Sequence, residues 1–422
     1  MTTQRSTLNT TMPTSEENLL HRARSIHARV IILDSHVDFE PADLISDRNY
    51  TQRVATQFNL PNMIDGGVDA LFFVVYVGQA RESQNPDAFK AAGYERAYKL
   101  AIDKFAAVHR FTRDIAPGTI ELALRPVDLR RICASGKKAA LMGVENGYPL
   151  GEDLACVRDF YDRGARYLSL AHNGHNQLAD SHTGEREGWK WHGVSPLGKQ
   201  VIAELNRFGI MVDISHASKE SMLQTAALSR APVIASHSAA RTLCDVSRNL
   251  DDEQLLALKK TGGVIQMVAY HGFVKTTRPD SAERAAALAA LRNKYNHPDA
   301  NKLSQRARAQ AALKTMPAAR REEYENALAE IDNQYPADPA ATVKDFVDHI
   351  DYGVKLIGID HVGIASDFDG GGGVAGWNDA SETFNVTLEL VRRGYSEKQI
   401  EKLWSGNLLR VMDEVQRAAR QF

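Results

Sequence analysis

Cysteine is nearly absent from this chain of 422 residues. The three present, Cys133, Cys156 and Cys244, are too few and too scattered for a disulfide framework or a cysteine-based zinc site. Any metal must therefore be held by histidines and carboxylates. A charge bias is also missing: 51 Lys+Arg stand against 53 Asp+Glu, a net charge of −2, which argues against a nucleic-acid binder. No apolar run approaches the roughly 18 residues of a membrane span, and the opening MTTQRSTLNTTMPTSEEN has no apolar core of a secretory signal. The expectation is a soluble, cytoplasmic protein. What the chain does have is 43% hydrophobic and 25% charged residues, the balance of a globular protein able to bury a large core.

Residues 1 to about 17 read as a solvated, disordered tail, and 18–422 as one domain whose first helix covers roughly 18–29. Short apolar, β-branched runs then recur between longer helical patterns: 30–34, 70–77, 139–144, 167–171, 211–215, 232–236, 263–268 and 361–366. That alternation predicts a parallel sheet buried on both faces, and eight strands suit a closed (β/α)8 TIM barrel. Helix ends are legible too. Pro196 and Gly209 bracket one helix, and the capping box from Ser396 to Gln399 opens the last. Residues 277–340 break the rhythm. Rich in Ala, Arg and Glu, they predict a helical insertion of two or three helices between strands 7 and 8, either an exposed lid wall or subunit contact or barrel helices of extra length.

In a (β/α)8 barrel the active site lies where the strands end, and six of the eight runs end in a potential ligand or acid/base group. His36 and Asp38 sit two apart and so can share a face. Glu145 closes the third run, His172 follows the fourth, His216 and His237 follow the fifth and sixth, and Asp367 the eighth. Each alone is as well explained by packing. Together, His36, Asp38, Glu145, His216 and His237 offer three imidazoles and two carboxylates at one mouth, a donor set suited to Zn²⁺. Five donors exceed what one catalytic zinc needs, and a carboxylate can bridge, so a pair of ions about 3.5–4 Å apart is the natural arrangement.

The motifs DSHVD (34–38), GVENG (143–147), RYLSLAHN (166–173), GVSPLGKQVIAELNRFGIMVDISHAS (193–218), SRAPVIASHSAAR (229–241), SRNL (247–250), GIDHVGIASDFDG (358–370) and GNLLRV (406–411) resemble the membrane (renal) dipeptidase family of zinc peptidases, within the amidohydrolase superfamily. The resemblance covers roughly 30–270 and 343–415 and leaves 277–340 outside. It implies that His36 and Asp38 hold one zinc, His216 and His237 the other, and that Glu145 bridges both. It also implies that His172 steadies the oxyanion, Arg248 grips the substrate carboxylate, and Asp367 is the acid/base near the substrate amine. Asp369 competes with Asp367, but its spacing from the strand favours Asp367 as the inward group.

Two departures stand out. Asn146 replaces a glycine usual after the bridging glutamate, and the loop after His172 carries His175, His182, His192, Trp189 and Trp191, which would shape the substrate pocket. His175 and His192 read as solvated or supporting groups. Gly370–Gly373 reads as a mobile run beside Asp367 or a plain flexible loop. The function implied is hydrolysis of small dipeptides, including those ending in a D-residue, by a homodimer with two zinc ions per chain. The alternatives are an amidohydrolase of N-acyl amino acids and a metal-bound barrel that only binds a partner.

Overall fold

The computed structural model describes residues 15–80, 84–297, 312–313 and 315–420. Nine parallel strands form one sheet: β1 Leu33–Asp38, β2 Ala70–Tyr76, β3 Ile120–Leu122, β4 Lys138–Glu145, β5 Ala165–Ser169, β6 Met211–Asp213, β7 Ile234–Ser238, β8 Val264–Val268 and β9 Val362–Ala365. Eight of them run in the order β1-β2-β4-β5-β6-β7-β8-β9, and β3 pairs only with the outer start of β4. These eight are the strands expected from sequence, so the fold is the (β/α)8 barrel.

The ring closes where β9 meets β1. A bridge joins Val37 to Phe368, with Asp38 N–H donating to Phe368 O at 2.9 Å. Side chains complete the seam: Asp34 Oδ1 accepts from the amides of Ser366 and His36, and Ser35 Oγ lies 2.8 Å from Ser236 O. Buried polar backbone must be paired. Here buried side chains do part of that pairing.

Leu33, Phe72, Leu141, Tyr167, Met211, Ile234 and Val264, one from each of seven barrel strands, join Leu408, Val411 and Met412 of the C-terminal helix Asn407–Ala419 in one buried cluster. A larger cluster lies between strands and surrounding helices. Pro196–Phe208 is a helix with Ser195 as N-cap and Gly209 left-handed at its end, and the Ser396–Gln399 capping box is formed.

The expected tail, 1–17, lies outside the described residues as far as residue 14. Residues 15–17 instead start the helix Ser15–His27, where Glu16 and Glu17 favour the positive end of the helix dipole. The insertion between β8 and β9 contains the helices Ala282–Tyr295 and Ala318–Gln334, with 298–311 outside the described residues. Leu291, Tyr295 and Tyr324 give it a small core of its own. Arg278 pairs with Asp338 where it leaves the barrel.

Candidate metal centre

His36 and Asp38 lie in β1, Glu145 ends β4 and His237 lies in β7, while His172, His216 and Asp367 follow β5, β6 and β9 by two or three residues. All seven converge at the mouth. Glu145 Oε1 is 3.0 Å from His216 Nε2, 3.3 Å from His237 Nε2 and 3.9 Å from His172 Nε2. Glu145 Oε2 is 3.7 Å from His36 Nε2, which is itself 3.6 Å from Asp38 Oδ2. Two donor triples with metal-ligand spacing therefore share Glu145: His36, Asp38 and Glu145, and Glu145, His216 and His237. A third, His36, His237 and Asp367, is also close enough, with Asp367 Oδ1 3.9 Å from His36 Nε2.

Backbone geometry makes this convergence possible. Asn146, His216 and Asp367 are all left-handed, with φ of 74°, 66° and 58°. Each turns the chain sharply just past a strand. Asparagine tolerates this region best among non-glycine residues, which explains why Asn146 can stand where glycine is usual. Gly370 is needed for space: a Cβ there would lie 2.2 Å from Asp38 Oδ2 and 2.6 Å from Asp367 Oδ1.

The outward nitrogen of each candidate ligand histidine is engaged. His36 Nδ1 is 3.0 Å from Tyr167 Oη, whose proton goes to Ser35 O at 3.2 Å. His237 Nδ1 is 2.8 Å from Ser236 Oγ, which donates to Asp213 at 2.6 Å. His216 Nδ1 is 3.1 Å from Asn173 Oδ1, an atom that can only accept. His216 and His237, which stay neutral, therefore carry the proton on Nδ1 and turn a lone pair on Nε2 toward Glu145, as metal-ligating histidines do, and His36 turns its Nε2 the same way. His36 Nε2 and Glu145 Oε1 are buried without a hydrogen-bond partner. Orphaned buried polar atoms are costly, and a cation bound between them, displacing any proton on Nε2, removes the cost. The donor set fits a metal pair.

A family model described as membrane dipeptidase (peptidase family M19) matches residues 20–422, running through the helical insertion that the motif resemblance left outside. The chain belongs to this family. Dipeptidase tcpJ of Claviceps purpurea is 30% identical over 390 residues, covering 92% of this chain and 75% of that protein. The probable dipeptidase PvdM from Pseudomonas aeruginosa superposes with a TM-score of 0.74 at 34% identity, covering 95% of this chain and 99% of that one. A metallopeptidase from Rhodobacter sphaeroides, solved with a phosphinate mimic of the dipeptide L-Ala-D-Ala, shares the fold at 20% identity and a TM-score of 0.66, covering 92% and 99%. Membership makes the chain a metallo-dipeptidase, a hydrolase. Among the described residues no helix is long and apolar enough to cross a membrane.

The charges at the M19 centre are unbalanced without a cation. Burial alone would lower the pKa of His36, but Glu145, Asp38 and Asp367 outweigh it and raise it to about 9. Burial raises the Asp367 carboxyl well above its usual value, and Asp38 and Glu145 add to the shift against His36 and Arg248. His216 and His237 are pushed the other way, mainly by burial with help from Arg248, and so stay neutral.

Arg248 is buried, and burial pulls it down to about 10. Its terminal nitrogens donate to Ser238 Oγ and His237 O, both at 2.7 Å, while its Nε–H has no partner. Among the described residues it makes no ion pair.

Asp369 is held away from the metal candidates, accepting from the amides of Gln57 and Phe58 and from Tyr50. Within the glycine run, Gly371 and Gly372 donate to Asp367 O, Gly373 donates to Ala269 O, and Gln57 holds Gly372 O. His175 organises its own loop between Ser181 N and Gly188 O, and His192 is exposed. Sequence reasoning did not single out Tyr167, Asn173, Asp213 or Tyr76. Asp213, a carboxylate inside the apolar run MVDIS, carried a readable signal. Tyr167 did not, because tyrosine is ordinary in a strand; its ring fits only because residue 143 is glycine, where a Cβ would lie 2.0 Å away.

Proposed function

We propose that this M19 enzyme holds two zinc ions and hydrolyses the peptide bond of small dipeptides, including those with a D-residue at the C-terminal position. The observation that carries the reading is that the buried Glu145 belongs to two donor triples at once, one with His36 and Asp38 and one with His216 and His237. His36 and Asp38 would hold one ion, His216 and His237 the other, and Glu145 would bridge. When bound, the pair supplies a water acidic enough to act near neutral pH and polarises the scissile carbonyl.

The chain's own groups do the rest. His172, its Nδ1 beside Tyr76 Oη at 3.3 Å, turns Nε2 toward the centre and can donate to the oxyanion. Loss of such a donor costs about 2.7–4 kcal/mol of barrier. Asp367 can take the proton of the attacking water and pass it to the leaving amine. Arg248 offers its unpaired Nε–H and the free edge of its guanidinium to the substrate carboxylate, which selects substrates ending one residue past the scissile bond. A homodimer is part of the same reading, and light scattering reads it directly.

The test is a substrate panel with metal analysis. L-Ala-L-Ala and L-Ala-D-Ala should both be cleaved, with about two zinc ions per chain, while the dipeptide amide and a tripeptide are barely touched. Equal rates on dipeptide and amide would remove the carboxylate clamp. Preference for the N-acetylated dipeptide would turn the assignment to an N-acyl amino acid hydrolase.

A further inference from the structure

His182, in the loop after β5, joins three loops of the mouth. Its backbone N–H donates to the carbonyl of His216 at 2.8 Å, next to an antiparallel bridge between Ser181 and Ala217. Its Nε2 lies 2.9 Å from Asn173 Oδ1, the oxygen that also receives His216 Nδ1. Its Nδ1 lies 2.9 Å from Ser247 Oγ, one residue before Arg248. Asn173 Oδ1 can only accept, so His182 must donate from Nε2, and its second nitrogen is left to Ser247. The loops after β5, β6 and β7 thus meet on one residue, the first and third through its imidazole and the second through its backbone amide.

His216 needs such support. Its φ of 66° is left-handed, a conformation that a branched or ring-bearing side chain keeps only when its surroundings over-determine it. Two constraints hold it here, the His182 amide on its carbonyl and Asn173 on its ring, and both run through His182.

We propose that His182 is a positioning residue that ties the metal ligand His216, through Asn173, to the Ser247–Arg248 segment, and so sets the spacing between the metal centre and the carboxylate clamp. This rests on the reading of His216 as a ligand and Arg248 as the clamp. A dipeptide spans a fixed distance from scissile carbonyl to terminal carboxylate. A cross-link between the two ends of its site therefore governs how well both are met at once.

The experiment uses the full chain stripped of metal. Zinc affinity is measured by competition with a colorimetric chelator, and kcat and KM are measured after reloading, for wild type, His182→Ala, His182→Gln and Ser247→Ala. Groups that orient metal ligands typically contribute 10–100-fold in affinity. His182→Ala should accordingly weaken one zinc site by about 10-fold or more and raise KM for a dipeptide more than it lowers kcat. His182→Gln, whose amide can donate to Asn173, should recover most of the affinity. Ser247→Ala should leave zinc binding at the wild-type value and raise KM.

A folded His182→Ala protein with wild-type zinc affinity would overturn the proposal, as would a fall in thermal midpoint with affinity and KM unchanged. Should His182→Ala fail to fold, an unchanged KM in Ser247→Ala would still overturn the link to the clamp. If wild type cleaves no dipeptide but His182→Ala still loses zinc, the dipeptidase reading fails while the positioning of His216 is upheld.

Discussion

The barrel mouth and the 277–340 insertion leave the same end of the barrel and are built on opposite principles. At the mouth, His36 and His216 are pinned by partners distant in sequence and His237 by its neighbour Ser236, which Asp213 holds in turn; Asn146, His216 and Asp367 hold left-handed backbone, and a single Cβ at Gly370 would collide with two carboxylates. The described part of the insertion consists of helix-forming sequence around a cluster of Leu291, Tyr295 and Tyr324, tied down by exposed ion pairs such as Arg278–Asp338. The mouth is over-determined by tertiary contacts, whereas the insertion rests mainly on local propensity. Substitutions should therefore act on chemistry in the first region and on local stability in the second.

The largest effect is expected for Glu145→Ala. The loss of the shared carboxylate should take zinc content from about two ions per chain to below about one and abolish turnover, whereas His36→Ala should affect chiefly one site. Elemental analysis after zinc loading checks both. Retention of a full zinc complement by Glu145→Ala would break the view of the mouth as one coupled unit.

Asp367→Asn comes next. As an acid/base group Asp367 is dispensable for metal binding, so the variant should keep its zinc and lose roughly 10²–10⁴-fold in kcat. Zinc loss in this variant would instead place Asp367 among the ligands, as its proximity to His36 and His237 allows. For Arg248→Lys, kcat/KM on dipeptides should fall by about 10-fold or more, because an ammonium cannot reproduce the planar fork. Activity on the dipeptide amide should hardly change, and an equal fall on both substrates would show that Arg248 acts through packing.

In the insertion, Tyr324→Ala removes a buried ring that packs edge-on against Tyr295. It should cost that local unit up to roughly 3 kcal/mol, visible as faster amide exchange over the helices Ala282–Tyr295 and Ala318–Gln334, with dipeptide kcat/KM little changed. A large drop in activity would give the insertion a part in catalysis and erase the contrast. The smallest effect belongs to Arg278→Ala. Arg278 holds the Asp338 carboxyl down at about 2, so the pair's contribution is present above the ordinary Asp range and lost as pH falls through about 2. An exposed pair of this kind contributes little, and the thermal midpoint at neutral pH should barely move.

The sequence was most legible where structure is local. All eight apolar runs are barrel strands, although β1 extends past its expected end and carries His36 and Asp38 within it. Strand β3 escaped notice because three residues, IEL, carry no period. Every side chain expected at the mouth is there, since a residue at a strand's C-terminal end faces the mouth whatever the rest of the fold does. Glycine in a sequence signals freedom of φ and of space, and only the fold shows that Gly370 and its neighbours use the second, close-packed and hydrogen-bonded beside Asp38 and Asp367.

By itself the sequence determined the barrel, the residue types at its mouth and the family, because strand period, loop spacing and donor chemistry are properties of short segments. Only the tertiary structure decided which nitrogen of each histidine faces Glu145, that Arg248 is a buried cation with no ion pair among the described residues, and that Asp34 and Ser35 help close the ring. Those depend on pairs 131 residues apart, as in Tyr167 with His36, or 332 apart, as in Asp34 with Ser366. A proton's position on an imidazole is set by whatever the folded chain brings within hydrogen-bond reach, and no local pattern encodes that partner.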